Sequence, residues 1–236
     1  MTAIYKREML SYFTSPIGYI FMAVFMAMSG IIFSFFTFLN NTSSASMYFQ
    51  ILLFVFIIVI PLLTMKLMSE ERKLKTEQIL LTAPVSISGI ILAKFLAAFT
   101  MFAITFLLSE IIHFAALSRF AENVNYANVI GNVVGILLIG AAFISIGLFI
   151  SSLTESQIVA AISTIAAIIV LICMSFFASY IPNDFLANVV RWFAILSRFS
   201  PFTIGIFDLA SIAYYISLSV IFIFLSVRIY EKRRWG

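Results

Sequence analysis

The longest stretch of the sequence without a charged side chain runs between Glu8 and Lys66. Roughly 20 apolar helical residues cross a hydrocarbon core about 30 Å thick, so this stretch alone is long enough for two crossings. The whole chain is 63% hydrophobic and 10% charged, whereas soluble domains are about 25% charged. The sequence therefore predicts a polytopic membrane protein, and it excludes a water-soluble globular domain and a disordered chain.

Six membrane spans are predicted, and all of them are continuous apolar runs. Because they lack the alternation of apolar and polar residues that β-barrel strands show, the predicted fold is all-α. The predicted organisation is an interfacial helix at 1–16 followed by one six-helix transmembrane domain at 17–236. The spans are placed at 17–39, 51–68, 88–117, 129–151, 158–181 and 204–228.

The basic residues are distributed unequally between the two sides of these spans. Of the 14 Lys and Arg residues, only Arg119, Arg191 and Arg198 fall on the side opposite to the termini. By the positive-inside rule, both termini are expected in the cytoplasm. The basic residues lie between apolar segments and form no stripe for a phosphate backbone, so a nucleic-acid partner is not expected.

The residues before the first span show an amphipathic helical pattern. The apolar side chains that share one face are Tyr5, Met9, Tyr12 and Phe13, and the polar ones opposite are Arg7, Ser11 and Thr14. This pattern predicts a short helix that lies in the membrane interface, in contact with lipid, and ends before Pro16.

A charged segment from Ser69 to Leu81 separates the second and third spans. Glu70 and Glu71 would lie in the first turn of a helix, where the helix dipole favours acidic side chains. Glu71 and Lys75 have the spacing of an i,i+4 ion pair. The pattern predicts one short cytoplasmic helix over about 69–81, with its charges facing water.

A second segment outside the spans, residues 183–199, lies between Pro182 and Pro201. Its polar stripe is narrow and its other positions are apolar, which is typical of a helix that enters the outer leaflet of a membrane. The two prolines favour a re-entrant pair of half-helices at this position.

The residues that could carry chemistry are few. The chain has one histidine, His113, and no phosphate-binding loop or metal-ligand motif, so an enzyme is not predicted. Glu110 lies three residues before His113 in the third span, and an intramembrane acid is a candidate functional residue. The pair either lines a transport pathway or lies near the outer interface and reaches headgroups or Arg119. Lys94 is expected to extend to cytoplasmic phosphates.

Several motifs, in this order and spacing, resemble those of ABC-2 type permeases. The subgroup they resemble contains the gliding-motility-associated permease and the permease of the nitrous-oxide-reductase maturation transporter. The motifs are RE at 7–8, FTSPIGY at 13–19, EERKLKTEQILL at 70–81, TAPVS at 82–86 followed by Lys94, SSLTESQ at 151–157 and RRW at 233–235. The chain differs from the family at Lys75, where Gly is usual, and at Gln78, where Glu is usual.

The resemblance implies half of a type V ABC exporter in the cytoplasmic (inner) membrane of the cell. It implies an elbow helix before the first span, a coupling helix in the charged segment and a re-entrant helix pair before the sixth span. The implied partners are two copies of a separate ATPase, which would bind ATP and Mg²⁺, and a second permease chain, identical or related; this chain would need no cofactor. The implied ATPase-coupling residues are Glu70, Glu71, Arg72, Lys73, Thr76, Glu77 and Gln78.

Three functions are consistent with the sequence. The first is an exporter half driven by ATP hydrolysis in the partner. The second is a membrane subunit that anchors or regulates an ABC ATPase without transporting anything, and the third is an ion-coupled carrier that uses Glu110.

Overall fold

A computed structural model describes residues 1–39, 46–78, 85–120, 125–178 and 180–235, and every regular element in these ranges is helical. The predicted all-α fold is therefore confirmed. The helices are α1 (Thr2–Thr14), α2 (Pro16–Phe33) with a π-helical turn (Ser34–Phe38), α3 (Ser46–Thr64), α4 (Ser69–Lys73), α5 (Ile87–Phe120), α6 (Tyr126–Leu153), α7 (Gln157–Phe177), α8 (Asp184–Phe193), α9 (Ile195–Thr203) and α10 (Leu209–Trp235).

Six of these helices, within the part of the chain that the structure describes, are long and apolar enough to cross a membrane. They are α2, α3, α5, α6, α7 and α10, which confirms the six predicted spans. The N-terminal boundary of α10 differs from the prediction, since the helix begins at Leu209 and not at residue 204. Gly205 has a φ of 79°, which ends the preceding helix. The Asp208 carboxylate then accepts hydrogen bonds from the backbone N–H groups of Ala210 (3.2 Å) and Ser211 (3.0 Å), which caps the new helix.

Helix α6 lies at the centre of the bundle and contacts α3, α5, α7, α9 and α10. Buried aromatic rings connect the first three spans: Phe56 lies 6.2 Å from Phe25 and 5.3 Å from Phe102, measured between ring centroids. Large apolar side chains on the outside of α7, such as Ile158 and Ile162, are exposed. This distribution is expected where the surrounding medium is lipid.

The predicted helix before the first span is present as α1, but its faces differ from the prediction. Glu8, Tyr5 and Tyr12 turn toward the bundle, where Tyr5 donates a hydrogen bond to Thr100 (3.2 Å) and Tyr12 donates one to the Leu63 carbonyl (3.4 Å). Phe13, predicted on the same face as Tyr12, is 42% exposed. Tyr5, Glu8 and Tyr12 are spaced three and four residues apart, so they share one helical face.

Two short helices precede the last span, as predicted. Helix α8 lies on the outside of the bundle, with Phe185 74% exposed, whereas α9 enters the bundle and buries Ile195, Phe199 and Phe202. The helical conformation is interrupted between them at Ala194, which has extended dihedral angles; we call this interruption the α8–α9 break. We call this end of the bundle the far face. We call the opposite end, where α1, α4 and the end of α10 lie together, the terminal face.

Candidate functional site

The start of the charged segment is fixed to the end of α6 by one serine. The backbone N–H groups of Met68 and Ser69 both donate to Ser151 Oγ at 3.1 Å, and Ser151 Oγ donates to the Met65 carbonyl at 3.1 Å. Ser69 and Ser151 are fully buried. Buried polar groups that are all paired hold one defined geometry, so α4 is attached rigidly to α3 and α6.

The prediction of one continuous helix over 69–81 is wrong within the residues that the structure describes. Helix α4 ends at Lys73, a turn follows, and residues 77–78 are helical again; residues 79–81 lie outside the described ranges. The break occurs because Lys75 has a φ of 58°, a left-handed conformation that ends a helix. Glycine adopts this conformation without penalty, whereas a lysine there is strained.

Replacing Lys75 with glycine is expected to raise the free energy of unfolding by about 1 kcal/mol, because a non-glycine residue in the left-handed region is strained by roughly that amount. Lys73→Gly is the matched control, since Lys73 has helical geometry and glycine there is expected to lower stability by about 1 kcal/mol. Thermal unfolding of the purified protein in detergent measures both variants. Equal effects of the two substitutions would contradict the left-handed assignment.

A buried lysine joins three elements at the terminal face. Lys94 of α5 is 1% exposed, and its Nζ lies 3.0 Å from Glu8 Oε1 of α1 and 3.1 Å from Glu71 Oε1 of α4. It also donates a hydrogen bond to the Leu67 carbonyl (2.8 Å). The expectation that Lys94 extends to lipid phosphates is therefore wrong, because two carboxylates and a carbonyl inside the protein bind its ammonium group.

Arg7 completes this first cluster, and the four side chains together carry no net charge. Its Nη2 lies 2.7 Å from Glu8 and 2.5 Å from Glu71, so the predicted Glu71–Lys75 pair is replaced by pairs with Arg7 and Lys94. Burial alone would raise the pKa of Glu8, but the charge of Lys94 and the hydrogen bond from Arg7 outweigh it, and this pKa lies below its usual value. The carboxylate is therefore ionised at neutral pH, as a compensated buried ion pair requires.

A second cluster connects the charged segment to the loop after α6 and to the end of α10. Arg72 lies 2.9 Å from Glu155 and 3.7 Å from Glu77, and Glu77 lies 3.1 Å from Arg233. Arg233 also donates to the carbonyl of Ser152 at 2.7 Å.

The expectation that the charges of the segment face water is wrong for Glu71, Arg72 and Glu77. Their side chains are only 13%, 18% and 13% exposed. The turn after Lys73 brings Glu77 back to the side of Arg72, so all three point toward the bundle.

The outward side of the segment has a different character. Lys73, Leu74, Lys75, Thr76 and Gln78 are exposed, Leu74 to 64%, and Glu70 is partly buried. Beside Lys73 the surface forms a cavity of about 350 Å³, lined by Lys73, Glu155, Ser156, Gln157 and Ile158. Of the predicted coupling residues, Glu71, Arg72 and Glu77 thus form an inward ion-paired set, and Lys73, Thr76 and Gln78 are exposed on the outward side. The outward side also carries Leu74 and Lys75, which were not predicted as coupling residues, and it is basic with one apolar side chain.

The second predicted site, Glu110 and His113, lies inside the bundle near the far face. Tyr48 of α3 donates a hydrogen bond to Glu110 Oε1 (2.5 Å) and lies 3.2 Å from His113 Nδ1. Ser29 of α2 lies 3.0 Å from the Tyr48 hydroxyl. Glu110 is 7% and His113 8% exposed, so both side chains face the interior of the bundle and not the lipid headgroups. The adjacent cavity has a volume of about 10 Å³, roughly the minimum for one water molecule.

Sequence analysis missed Glu8 as a partner of Lys94, Tyr48 as a partner of Glu110, and Ser29 as a partner of Tyr48. Glu8 and Lys94 could have been identified as partners because each lies beside or within an apolar run, where an unpaired charge is energetically unfavourable. In the ranges that the structure describes, no three His, Cys, Asp or Glu side chains are placed to hold a metal ion.

Comparison with known proteins identifies the family. The family model described as "ABC-2 family transporter protein" matches residues 32–230, which include α3 through α9, most of α10 and only the end of α2 with its π-helical turn. A comparison with curated proteins found no significant match. The matched region is most of the chain and contains the charged segment and the central helix α6. The chain therefore belongs to the ABC-2 family of transporter proteins, and its six spans make it a multi-pass membrane component of an ABC transporter.

Proposed function

We propose that this chain is the permease half of an ATP-driven exporter, and that its terminal face is cytoplasmic and binds a separate ATPase through the charged segment. One observation carries the proposal. The segment is held to the bundle by ion pairs on its inner side, while Lys73, Leu74 and Lys75 project outward from its turn.

The inner ion pairs supply a physical route for coupling. An ATPase can shift a permease between two conformations only if its contacts differ between them, and the contacted element must be rigidly connected to the spans. Glu71 connects the segment to α1 and α5 through Arg7 and Lys94, and Ser151 connects it to α6. A force on α4 would therefore be transmitted to the spans as a rigid-body movement.

The outward side chains define the chemistry of the partner. Lys73 and Lys75 are exposed cations, and Leu74 between them is an exposed apolar anchor. Such a surface is complementary to an apolar pocket with an acidic rim. We therefore expect the ATPase to present this kind of pocket to the turn that follows α4.

Six spans form half of a transport pathway in the proposed assembly, which contains two permease chains and two ATPases. The two permease chains are identical or closely related. The cytoplasmic placement of the terminal face is supported by the excess of Lys and Arg on that side. The motif order from RE at 7–8 to RRW at 233–235 supports the type V subgroup with the gliding-motility and nitrous-oxide-reductase permeases.

A pathway role for Glu110 and His113 stays a prediction. Their contacts favour a structural connection between spans instead, since Tyr48 binds Glu110 and lies beside His113, and Ser29 contacts Tyr48, which links α2, α3 and α5. We propose that this network fixes the far ends of the first three spans. Transport that continues when ATP hydrolysis is blocked would favour the ion-coupled carrier.

The docking surface is tested by the double substitution Lys73→Glu with Leu74→Ala. We expect at least tenfold weaker binding of the ATPase that copurifies with the unmodified chain, because an exposed cation and the apolar anchor are both lost, and anchor residues contribute about 2 kcal/mol or more. Binding affinity is measured with the purified permease in detergent.

Lys232→Glu is the matched control, since Lys232 is exposed near the C-terminal end of α10 outside the charged segment. It should bind the ATPase as the unmodified chain does. Unchanged affinity in the double variant would contradict the assignment. The same loss of binding is expected if the chain is a subunit that anchors the ATPase without transporting anything. Export that stops when ATP hydrolysis is blocked would identify the exporter half.

A further inference from the structure

Helix α10 is bonded at one end to the charged segment and at the other end to the break between α8 and α9. We infer that α10 transmits movement of the charged segment to the α8–α9 break at the far face, with Arg233 and the pair Tyr214 and Tyr215 as the positioning residues at its two ends. This inference rests on the proposed function, because the ATPase is taken to move the charged segment.

At the terminal face, Arg233 makes two contacts with different parts of the site. Its Nη1 lies 3.1 Å from Glu77 Oε1, and its Nη2 donates to the Ser152 carbonyl at 2.7 Å. The guanidinium group also lies 5.2 Å from the centroid of the Tyr230 ring. A planar guanidinium that is held on three sides has a fixed orientation, so the end of α10 follows the position of Glu77.

At the far face, two tyrosines of α10 bind the carbonyls on either side of the break. Tyr214 donates to the Phe193 carbonyl at 2.9 Å, and Tyr215 donates to the Ile195 carbonyl at 2.8 Å. Tyr215 is fully buried and Tyr214 is 7% exposed. The Phe193 carbonyl lies at the C-terminal end of α8, where carbonyls have no partner within the helix, and the Ile195 carbonyl lies in the first turn of α9. A tyrosine hydroxyl thus binds the backbone on each side of Ala194. The break is therefore positioned by α10.

Between its two ends, α10 is suited to transmit movement. The helix is continuous from Leu209 to Trp235 and contains no Pro or Gly, the usual causes of a kink. Tyr215 and Arg233 are 18 residues apart, which corresponds to about 27 Å along the axis. Its contacts with α6 are extensive, and α6 also holds the start of the charged segment through Ser151. A displacement at one end thus moves the other end.

Two adjacent arginines near the end of α10 allow the positioning role of Arg233 to be distinguished from a general effect of positive charge. Arg233 is partly buried against Glu77, whereas the adjacent Arg234 is exposed. Both arginines complement the helix dipole and the membrane surface, so those general effects are the same for the two. Only Arg233 is placed to position the charged segment, and Arg234 is therefore a matched control.

The test uses a fluorescent reporter on α8 in the complex with the copurifying ATPase. Cys173, the only cysteine of the chain, is replaced by Ala. Phe185, 74% exposed on α8, is replaced by Cys and labelled with bimane before the ATPase is added. A nonhydrolysable ATP analogue is then added, and we expect a change in bimane emission when the far face rearranges.

Arg233→Gln is expected to retain ATPase binding, because Lys73 and Leu74 remain exposed and Lys94 still holds α4, but to reduce the emission change at least about fivefold. The Tyr214→Phe, Tyr215→Phe double variant is expected to reduce it similarly. Arg233→Lys keeps a cation for the ion pair with Glu77 but loses the planar group that Ser152 and Tyr230 orient, so it should restore only part of the response, whereas Arg234→Gln should not alter it.

The outcomes separate this inference from the proposed function. An unaltered emission change in Arg233→Gln would overturn the inference and leave the docking role intact. The same conclusion would follow if the labelled chain without further substitutions binds the ATPase but shows no emission change at position 185. Failure of the ATPase to bind the unmodified chain would overturn both. A reduced response in Arg234→Gln as large as that in Arg233→Gln would show a general charge effect and would also overturn the inference.

Discussion

Replacing Lys94 with methionine is expected to lower the free energy of unfolding by about 3–5 kcal/mol, since removal of one partner leaves the other charges of a buried ion pair uncompensated. Lys94 is 1% exposed, and its ammonium group lies within 3.1 Å of both Glu8 and Glu71. Without it, Arg7 is the one cation in the described ranges that still pairs with the two carboxylates. Met has nearly the same length and shape as the lysine stem, so the loss reports charge and not packing.

A combined variant provides the control for this prediction. Glu8→Gln and Glu71→Gln introduced together with Lys94→Met remove the uncompensated charges and should recover most of the lost stability, since effects within one network are not additive. Denaturation of the purified variants in mixed micelles measures all of them. If Lys94→Met unfolds at the same denaturant concentration as the unmodified chain, the ammonium group is solvated, as the sequence alone suggested.

The spans could be predicted because each one depends only on its local composition. A run of about 20 apolar residues has one stable arrangement in lipid, namely a helix, and no distant residue changes that. The boundaries depend on local capping groups, and the N-terminal boundary of α10 was missed because Gly205 and Asp208 end one helix and cap the next.

The partners of the charged residues could not be predicted in the same way. Glu8 and Lys94 are 86 residues apart in sequence and meet only because α1 packs on α5. In the sequence, Lys94 resembles a lysine whose ammonium group extends to the membrane interface. Only the tertiary structure shows that Glu8 and Glu71 form ion pairs with it inside the protein. Likewise, Glu110 stands out in the third span, but Tyr48 lies 62 residues away and has no distinguishing sequence pattern.

In the charged segment, tertiary contacts override the local helix propensity. Its composition favours a continuous helix, since Glu, Lys, Leu and Arg are good helix formers. Tertiary ion pairs of Glu71 and Glu77 with α1, α5 and α10 instead require both side chains on the bundle side. A turn with Lys75 in the left-handed region satisfies them, and local propensity alone does not predict it.

Replacing Gly18 with alanine is expected to lower the free energy of unfolding by about 1–3 kcal/mol, the usual penalty for an extra group in a filled space. Gly18 lies in the first turn of α2, within the FTSPIGY motif at 13–19. A Cβ at this position would meet the backbone oxygen and carbonyl carbon of Tyr12 at only 2.1 and 2.8 Å. These are backbone atoms and cannot rotate away, so α1 itself must shift.

A shift of α1 has consequences at the terminal face, because Glu8 and Arg7 of α1 hold Lys94 and Glu71. We therefore expect Gly18→Ala to weaken the first ion-pair cluster as well as the local packing. Gly30→Ala is the control on the same helix, since nothing lies within 4 Å of the Cβ that it adds. It should raise stability by up to about 1 kcal/mol through helix propensity. Thermal unfolding in detergent distinguishes the two, and a Gly18→Ala protein as stable as Gly30→Ala would show that α1 does not pack against this turn.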